Sequence, residues 1–135
     1  MGRFGDTSGV ARSRIPDAQG MAAVRAAVQD TGASERQHAD RATQRLAVKY
    51  TLQVLTDRAP GHSVEVRIPP LGAVQAIPGP VHRRGTPSAV VEIDPATWLA
   101  LATGSISWTA ARESGRVRAS GERADLTPWL PLLDP

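Results

Sequence analysis

The chain has 135 residues, of which 41% are apolar and 21% are charged, a composition typical of one globular domain and unlike that of a disordered chain. It contains no cysteine, which excludes a disulfide framework, a cysteine-based zinc site and a thiol nucleophile. The net charge of +3 is small and spread along the chain, so no specific nucleic-acid partner is predicted. Since no apolar run suits a signal peptide or a membrane span, we expect a cytoplasmic protein without membrane insertion.

The first twenty residues are rich in glycine, serine and arginine and show no hydrophobic periodicity. This pattern predicts a flexible leader over residues 1–20 and a single domain over residues 21–135. A short helix is predicted from Met21 to near Gly32, because Met21, Val24 and Val28 fall on one helical face.

A second helix is predicted to begin at Ser34, which forms a capping box with Gln37. Its apolar positions recur at helical spacing as far as about Arg58, and Pro60 and Gly61 end it. The apolar stripe of this helix consists of Ala42, Leu46, Tyr50 and Val54.

Three strands are predicted next, over residues 63–68, 71–77 and 88–93. In the first, Val64, Val66 and Ile68 alternate with polar residues, which indicates a strand with one buried face. The first two strands are expected to form a hairpin closed by Pro69, Pro70 and Gly72.

The C-terminal part begins with a well-defined helix start, because the Asp94 carboxylate can accept amide hydrogens and Pro95 suits the first helical position. Gly104 is placed to end this helix in a left-handed turn. Ser107 is predicted to cap a second short helix that runs through Glu113. A strand over residues 116–120 and a partly helical, leucine-rich segment over 126–133, capped by Thr127, complete the chain.

The resulting order is two helices, three strands, two helices, one strand and a short final helix. Strands that follow one another, with helices at the flanks, indicate an α+β fold and argue against the alternating pattern of a nucleotide-binding domain. Four strands are counted from the residue patterns alone.

Catalytic motifs are absent from the sequence: there is no phosphate-binding loop, no nucleophile elbow and no H-E-x-x-H zinc motif. The histidines His38 and His62 are far apart without a surrounding motif, so a surface or structural role is predicted. His82, with Arg83 and Arg84, is a candidate site for an anionic head group or phosphate, because arginine offers fixed forked donors. The alternative is a solvated loop.

The three tryptophans, Trp98, Trp108 and Trp129, lie at predicted helix starts. Aromatic residues make up only 4% of the chain, too few for the stacking surfaces of a nucleic-acid groove. The tryptophans are therefore interpreted as core anchors, and lining a pocket is the alternative role.

Residues 94–104 read DPATWLALATG and residues 114–121 read SGRVRASG. This order of helix, glycine, helix, Ser-Gly and strand resembles the closing half of the sterol carrier protein family. Three further segments are similar to the stand-alone bacterial branch of that family: 59–67, 84–87 and 122–126. The resemblance extends over about residues 35–133.

The resemblance implies a mixed, mostly antiparallel sheet of about five strands covered by helices, with an interior tunnel for a sterol, a fatty acid or an acyl-CoA. It implies a carrier and not an enzyme, with no catalytic residue, no metal and no cofactor, and with the C-terminal leucines as a candidate movable lid. The alternative is a protein-interaction or accessory module with a filled core and no ligand; the oligomeric state stays open in both cases. The candidate tunnel-wall residues are Leu46, Tyr50, Val54, Val66, Val74, Val91, Trp98, Leu101, Trp108, Trp129 and Leu133.

Overall fold

The structure, a computed structural model, describes residues 14–29, 41–81, 86–121 and 124–134. The helices are α1 (Asp17–Gln29), α2 (Arg41–Arg58), α3 (Pro95–Thr103) and α4 (Trp108–Glu113). The strands are β1 (Val64–Ile68), β2 (Gly72–Ala76), β3 (Ala89–Ile93) and β4 (Val117–Ser120). A single 3-10 turn, Thr127–Trp129, precedes the end of the described chain.

The four strands form one sheet in the order β2-β1-β3-β4. The outer pairs β1–β2 and β3–β4 are antiparallel, whereas the central pair β1–β3 is parallel. The predicted α+β fold with a mixed, mostly antiparallel sheet is therefore confirmed. The described residues form four strands and not the five implied by the family resemblance. The strand predicted over 71–77 is present as β2 and ends before Ile77, which adopts a left-handed φ of 76°.

The two faces of the sheet follow from the alternation in β1. Val64, Val66 and Ile68 are buried, and the register places Val66 between Val74 of β2 and Val91 of β3. These side chains share one packed cluster with α2 and α3. The opposite face carries the charged residues of the strands, and the described helices pack on the other, apolar face.

Helix α1 begins at Asp17, which corrects the predicted start at Met21 and places its first turn within the segment expected to be a leader. The reason is a close contact with α2 that periodicity does not reveal. A Cβ on Gly20 would overlap the Tyr50 ring, so only glycine lets the two helices approach this closely. The Tyr50 hydroxyl donates to the Asp17 carboxylate over 2.9 Å. The pKa of Tyr50 is raised, mainly because the side chain is buried and also because of this hydrogen bond.

The residues just before α1 are also held on α2. The Gln53 side-chain amide accepts from the Ile15 N–H and donates to the Ile15 carbonyl, over 2.9 and 3.0 Å. The hydrogen bond from Arg14 lowers the pKa of Asp57. The start of α2 and its predicted cap at Ser34 and Gln37 lie outside the described residues.

The local signals of the C-terminal part are confirmed. The Asp94 carboxylate accepts from the Thr97 N–H over 3.0 Å at the start of α3, and Gly104 ends that helix with a φ of 86°. Ser107 caps α4 by accepting from the Ala110 N–H.

The predicted cap at Thr127 is wrong, because the Thr127 N–H is itself the donor to the Asp125 carboxylate, over 2.9 Å. The expected partial helix is limited to one 3-10 turn. Leu130, which precedes Pro131, is extended, since a proline disfavours helical conformation in the residue before it.

The described part of the chain contains no helix that combines the length and the apolar character needed to cross a bilayer.

Candidate functional site

The space between the sheet and the helices is filled by side chains that the sequence marks as candidate tunnel walls. Val66, Val91 and Trp98 have no exposed surface and belong to one packed cluster. Trp98 is fixed further, because its indole Nε1–H donates to the Thr51 hydroxyl over 2.7 Å. That hydroxyl is buried and in turn faces the carbonyls of the preceding turn of α2. These residues act as core in the described structure.

The other candidate wall residues occupy different surroundings. Tyr50 is buried under α1, and Leu101 and Trp108 lie at the C-terminal end of α3 and the start of α4. The remaining five are only partly buried and pack around the rim of the core: Leu46, Val54, Val74, Trp129 and Leu133. Within the described part of the chain, Leu101 and Trp108 are the members of the predicted set that lie together in one pocket.

That pocket, which we call the C-terminal pocket, has a volume of about 260 Å³. It lies where α3 ends, α4 begins and the last residues of the chain cross over both. Most of its lining is apolar, with two hydroxyl groups at the edge. The lining residues are Leu101, Gly104, Ile106, Ser107, Trp108, Thr127, Leu130 and Pro131.

The C-terminal pocket is formed by the end of α3 and by residues 127–133, here called the returning segment because they lie back against that helix end. The left-handed Gly104 stops α3, and the chain turns through Ile106 before the cap of α4. Hydrogen bonds join the returning segment to α3, because the N–H groups of Leu132 and Leu133 both donate to the Ala102 carbonyl, over 2.8 and 3.0 Å. The Leu132 side chain is buried beside this attachment.

A second depression, here called the polar groove, adjoins the C-terminal pocket and shares Trp108 with it. It has a volume of about 400 Å³ and is otherwise lined by Thr109, Arg112, Glu113 and Asp125. Hydrogen bonds from the Thr127 hydroxyl and N–H lower the pKa of Asp125, and the Arg112 charge adds to this effect. Asp125 is thus an ionised carboxylate that also orients the returning segment.

The sequence matches a protein-family model described as a bacterial SCP ortholog over residues 40–132, which is more than half of the chain. The chain belongs to this sterol-carrier-like family. The matched range of the family includes α2, the whole sheet, the C-terminal pocket and the polar groove, and it leaves out α1. No curated protein matches the chain.

Of the remaining candidate groups of this sterol-carrier-like domain, the structure describes only His62, which lies outside the C-terminal pocket. His62 is exposed, its Nδ1 lies 2.9 Å from the Gln75 Oε1, and it lines a separate groove with Gly61, Gly79 and the 40% exposed Val81. His38 and the predicted anion site at His82, Arg83 and Arg84 lie outside the described residues. Within the described ranges, no three histidine, aspartate or glutamate side chains are grouped as metal ligands would be.

Sequence reasoning missed most of the lining of the C-terminal pocket. Ile106 was not singled out, because it lies between two short helices and follows no periodic pattern. Leu130 and Pro131 reach the pocket only because their neighbour Leu132 binds to Ala102, thirty residues earlier in the chain. The available signal was the left-handed glycine at 104 followed at once by a helix cap at Ser107, which marks a sharp corner between two apolar helices.

Proposed function

We propose that this protein binds an apolar or amphipathic ligand, without catalysing a reaction, in the C-terminal pocket. The observation that carries the proposal is the apolar lining of this pocket by Leu101, Ile106, Trp108 and Leu130, within the region matched by the sterol-carrier-like family. Ligand sites are typically concave and mostly apolar, with a few polar groups at defined positions. Ser107 and Thr127 supply such groups at the edge.

The size of the pocket favours one acyl chain as the inserted part of the ligand. A volume of about 260 Å³ exceeds the roughly 150 Å³ cavity that holds benzene, but lies below the range of about 300–1,000 Å³ for drug-sized ligands. Each buried methylene group of a chain contributes about 0.8 kcal/mol before the cost of association. A bulkier ligand such as a sterol would require the pocket to widen.

The returning C-terminal segment is the part that can widen it. It is held by two backbone hydrogen bonds to the Ala102 carbonyl, each worth about 0.5–1.5 kcal/mol net, by the burial of Leu132, and by Trp129, Leu130 and Leu133, which are only partly buried against the core. This supports the leucine-rich segment as a movable lid, with Leu130 and Pro131 as its pocket-facing part.

Native mass spectrometry of the purified protein, with lipid extraction and a titration with monolaurin followed by tryptophan fluorescence, tests the proposal. Trp108 lines the pocket and serves as an internal reporter. We expect one bound molecule per chain. Ile106→Asp should weaken monolaurin binding at least about tenfold, because a carboxylate at this position must lose hydration when the chain enters.

The control is Val81→Asp, which introduces the same charge in the His62 groove and should leave monolaurin binding unchanged. Circular dichroism verifies that each variant is folded, and Ile106→Trp, which fills the pocket without adding a charge, replaces Ile106→Asp if that variant unfolds. Absence of any bound lipid and of monolaurin binding in the wild-type protein, or unchanged binding in both Ile106 variants, overturns the proposal.

A second function is favoured by the filled space between the sheet and the helices, where Val66, Val91 and Trp98 leave no exposed surface. A core of this kind suits a protein-interaction or accessory module that carries no ligand. The monolaurin titration distinguishes the two functions, because a module of this kind would bind no monolaurin in the C-terminal pocket.

A further inference from the structure

The C-terminal pocket and the polar groove are neighbours, separated by the ring of Trp108 and the turn from Asp125 to Thr127. One side of this boundary is apolar and the other carries charged side chains. An amphiphile with its apolar chain in the pocket can therefore place its polar end at the groove, where charged side chains meet it.

The charges of the groove are mixed. Among the described residues that line it, Arg112 contributes one positive charge, and Glu113 and Asp125 contribute two negative charges, all on exposed side chains. Arg112 forms no ion pair with any residue that the structure describes, so its forked donors can meet a phosphate. Glu113 likewise forms no ion pair within the described residues and can accept from an ammonium group.

We propose, on the basis of the proposed function, that the ligand is a single-chain amphiphile whose zwitterionic head combines a phosphate with a primary ammonium group. Arg112 binds the phosphate, and Glu113 and Asp125 bind the ammonium. These residues set the head-group specificity of the C-terminal pocket.

The charge pattern disfavours the simpler heads. A lone carboxylate, as in a fatty acid, meets Arg112 but is repelled by the two carboxylates of the groove. A lone ammonium group meets the carboxylates but is repelled by Arg112. A head that carries both charges places an opposite charge against Arg112 and against Glu113 at the same time.

The test compares three ligands with the same twelve-carbon chain, each below its critical micelle concentration, in titrations followed by tryptophan fluorescence. The ligands are lauroyl lysophosphatidylethanolamine, lauric acid and neutral monolaurin. We expect the zwitterionic ligand to bind about three- to tenfold more tightly than lauric acid, a range set by two exposed charge pairs. Added salt should reduce this preference.

Two variants assign the preference to the groove. Arg112→Gln and Glu113→Gln should each weaken binding of the zwitterionic ligand about threefold and leave monolaurin binding unchanged. The matched controls, Arg118→Gln and Glu92→Gln, make the same changes on the uncovered face of the sheet and should alter neither.

The outcomes separate this inference from the function on which it rests. If monolaurin binds but lauric acid binds as tightly as the zwitterionic ligand, or if the groove variants bind like the wild type, the head-group assignment is overturned and the apolar pocket stands. If none of the three ligands binds, the proposed function fails, and the head-group assignment fails with it.

Discussion

The covered face of the sheet and the C-terminal pocket are lined by the same types of apolar side chain, but the two regions differ in how completely these chains are packed. Val91, Ile93 and Trp98 are at most 1% exposed, whereas Ile106 and Leu130 are only partly buried. The covered face lies between regular elements. The C-terminal pocket lies at a corner formed by a helix end and an extended segment.

The regularity of the packed elements explains why the two regions differ. Helices and strands repeat their side chains at fixed spacings, so two such layers interdigitate to the density of a crystal. A left-handed glycine followed by a turn, as at Gly104, breaks this repeat and leaves space that the returning segment covers without filling. Binding is therefore expected at the irregular corner and not between the layers.

A matched pair of truncations tests the contrast with the largest expected effect. Ile93→Ala should lower the free energy of unfolding by about 2–5 kcal/mol, because it leaves a cavity in a closed core. Ile106→Ala should cost about 1 kcal/mol, since the side chain borders an existing pocket and less contact is lost. Urea denaturation measures both values. Equal losses would show that the two regions are packed alike.

The buried hydrogen bond between Trp98 and Thr51 provides a second test of the closed core. Thr51→Val keeps the shape of the side chain but leaves the indole N–H without its acceptor, at a cost of about 1–3 kcal/mol in the free energy of unfolding. Thr103→Val is the control, because the Thr103 hydroxyl also donates to a carbonyl of its own helix but accepts no indole. A loss as large at Thr103 as at Thr51 would assign the effect to the helix and not to the indole.

The smallest expected effect on stability concerns Asp125, whose lowered pKa reflects its hydrogen bonds to the returning segment. Because this pKa lies below its ordinary value of 3.8 in the folded protein, the ionised carboxylate stabilises the fold at neutral pH. The contribution is lost as the pH falls through the lowered pKa. Thermal unfolding from pH 7 to pH 3 should show the wild type slightly more stable than Asp125→Asn at neutral pH, with the difference shrinking on acidification. A difference that is constant with pH would contradict this origin.

Local chemistry in the sequence was sufficient for much of the fold. The caps at Asp94 and Ser107 and the left-handed Gly104 act within one helical turn, so the bounds of α3 and α4 could be predicted from neighbouring residues. The alternation in β1 identified the buried face of the sheet in the same way. The resemblance to the sterol carrier protein family rests partly on the same local features, such as the start at Asp94 and the end at Gly104 of α3.

Contacts between distant residues decided the rest. The start of α1 at Asp17 depends on Tyr50, and the cover of the C-terminal pocket depends on the bond from Leu132 to Ala102. Periodicity marks a side chain as apolar and buried, but it does not distinguish a filled core from the wall of a pocket, because that depends on which elements meet. Residue patterns are therefore sufficient for the elements and for the covered face of the sheet, whereas the filled core beside Val66 and Val91 and the open corner beside Ile106 follow from how those elements meet in three dimensions.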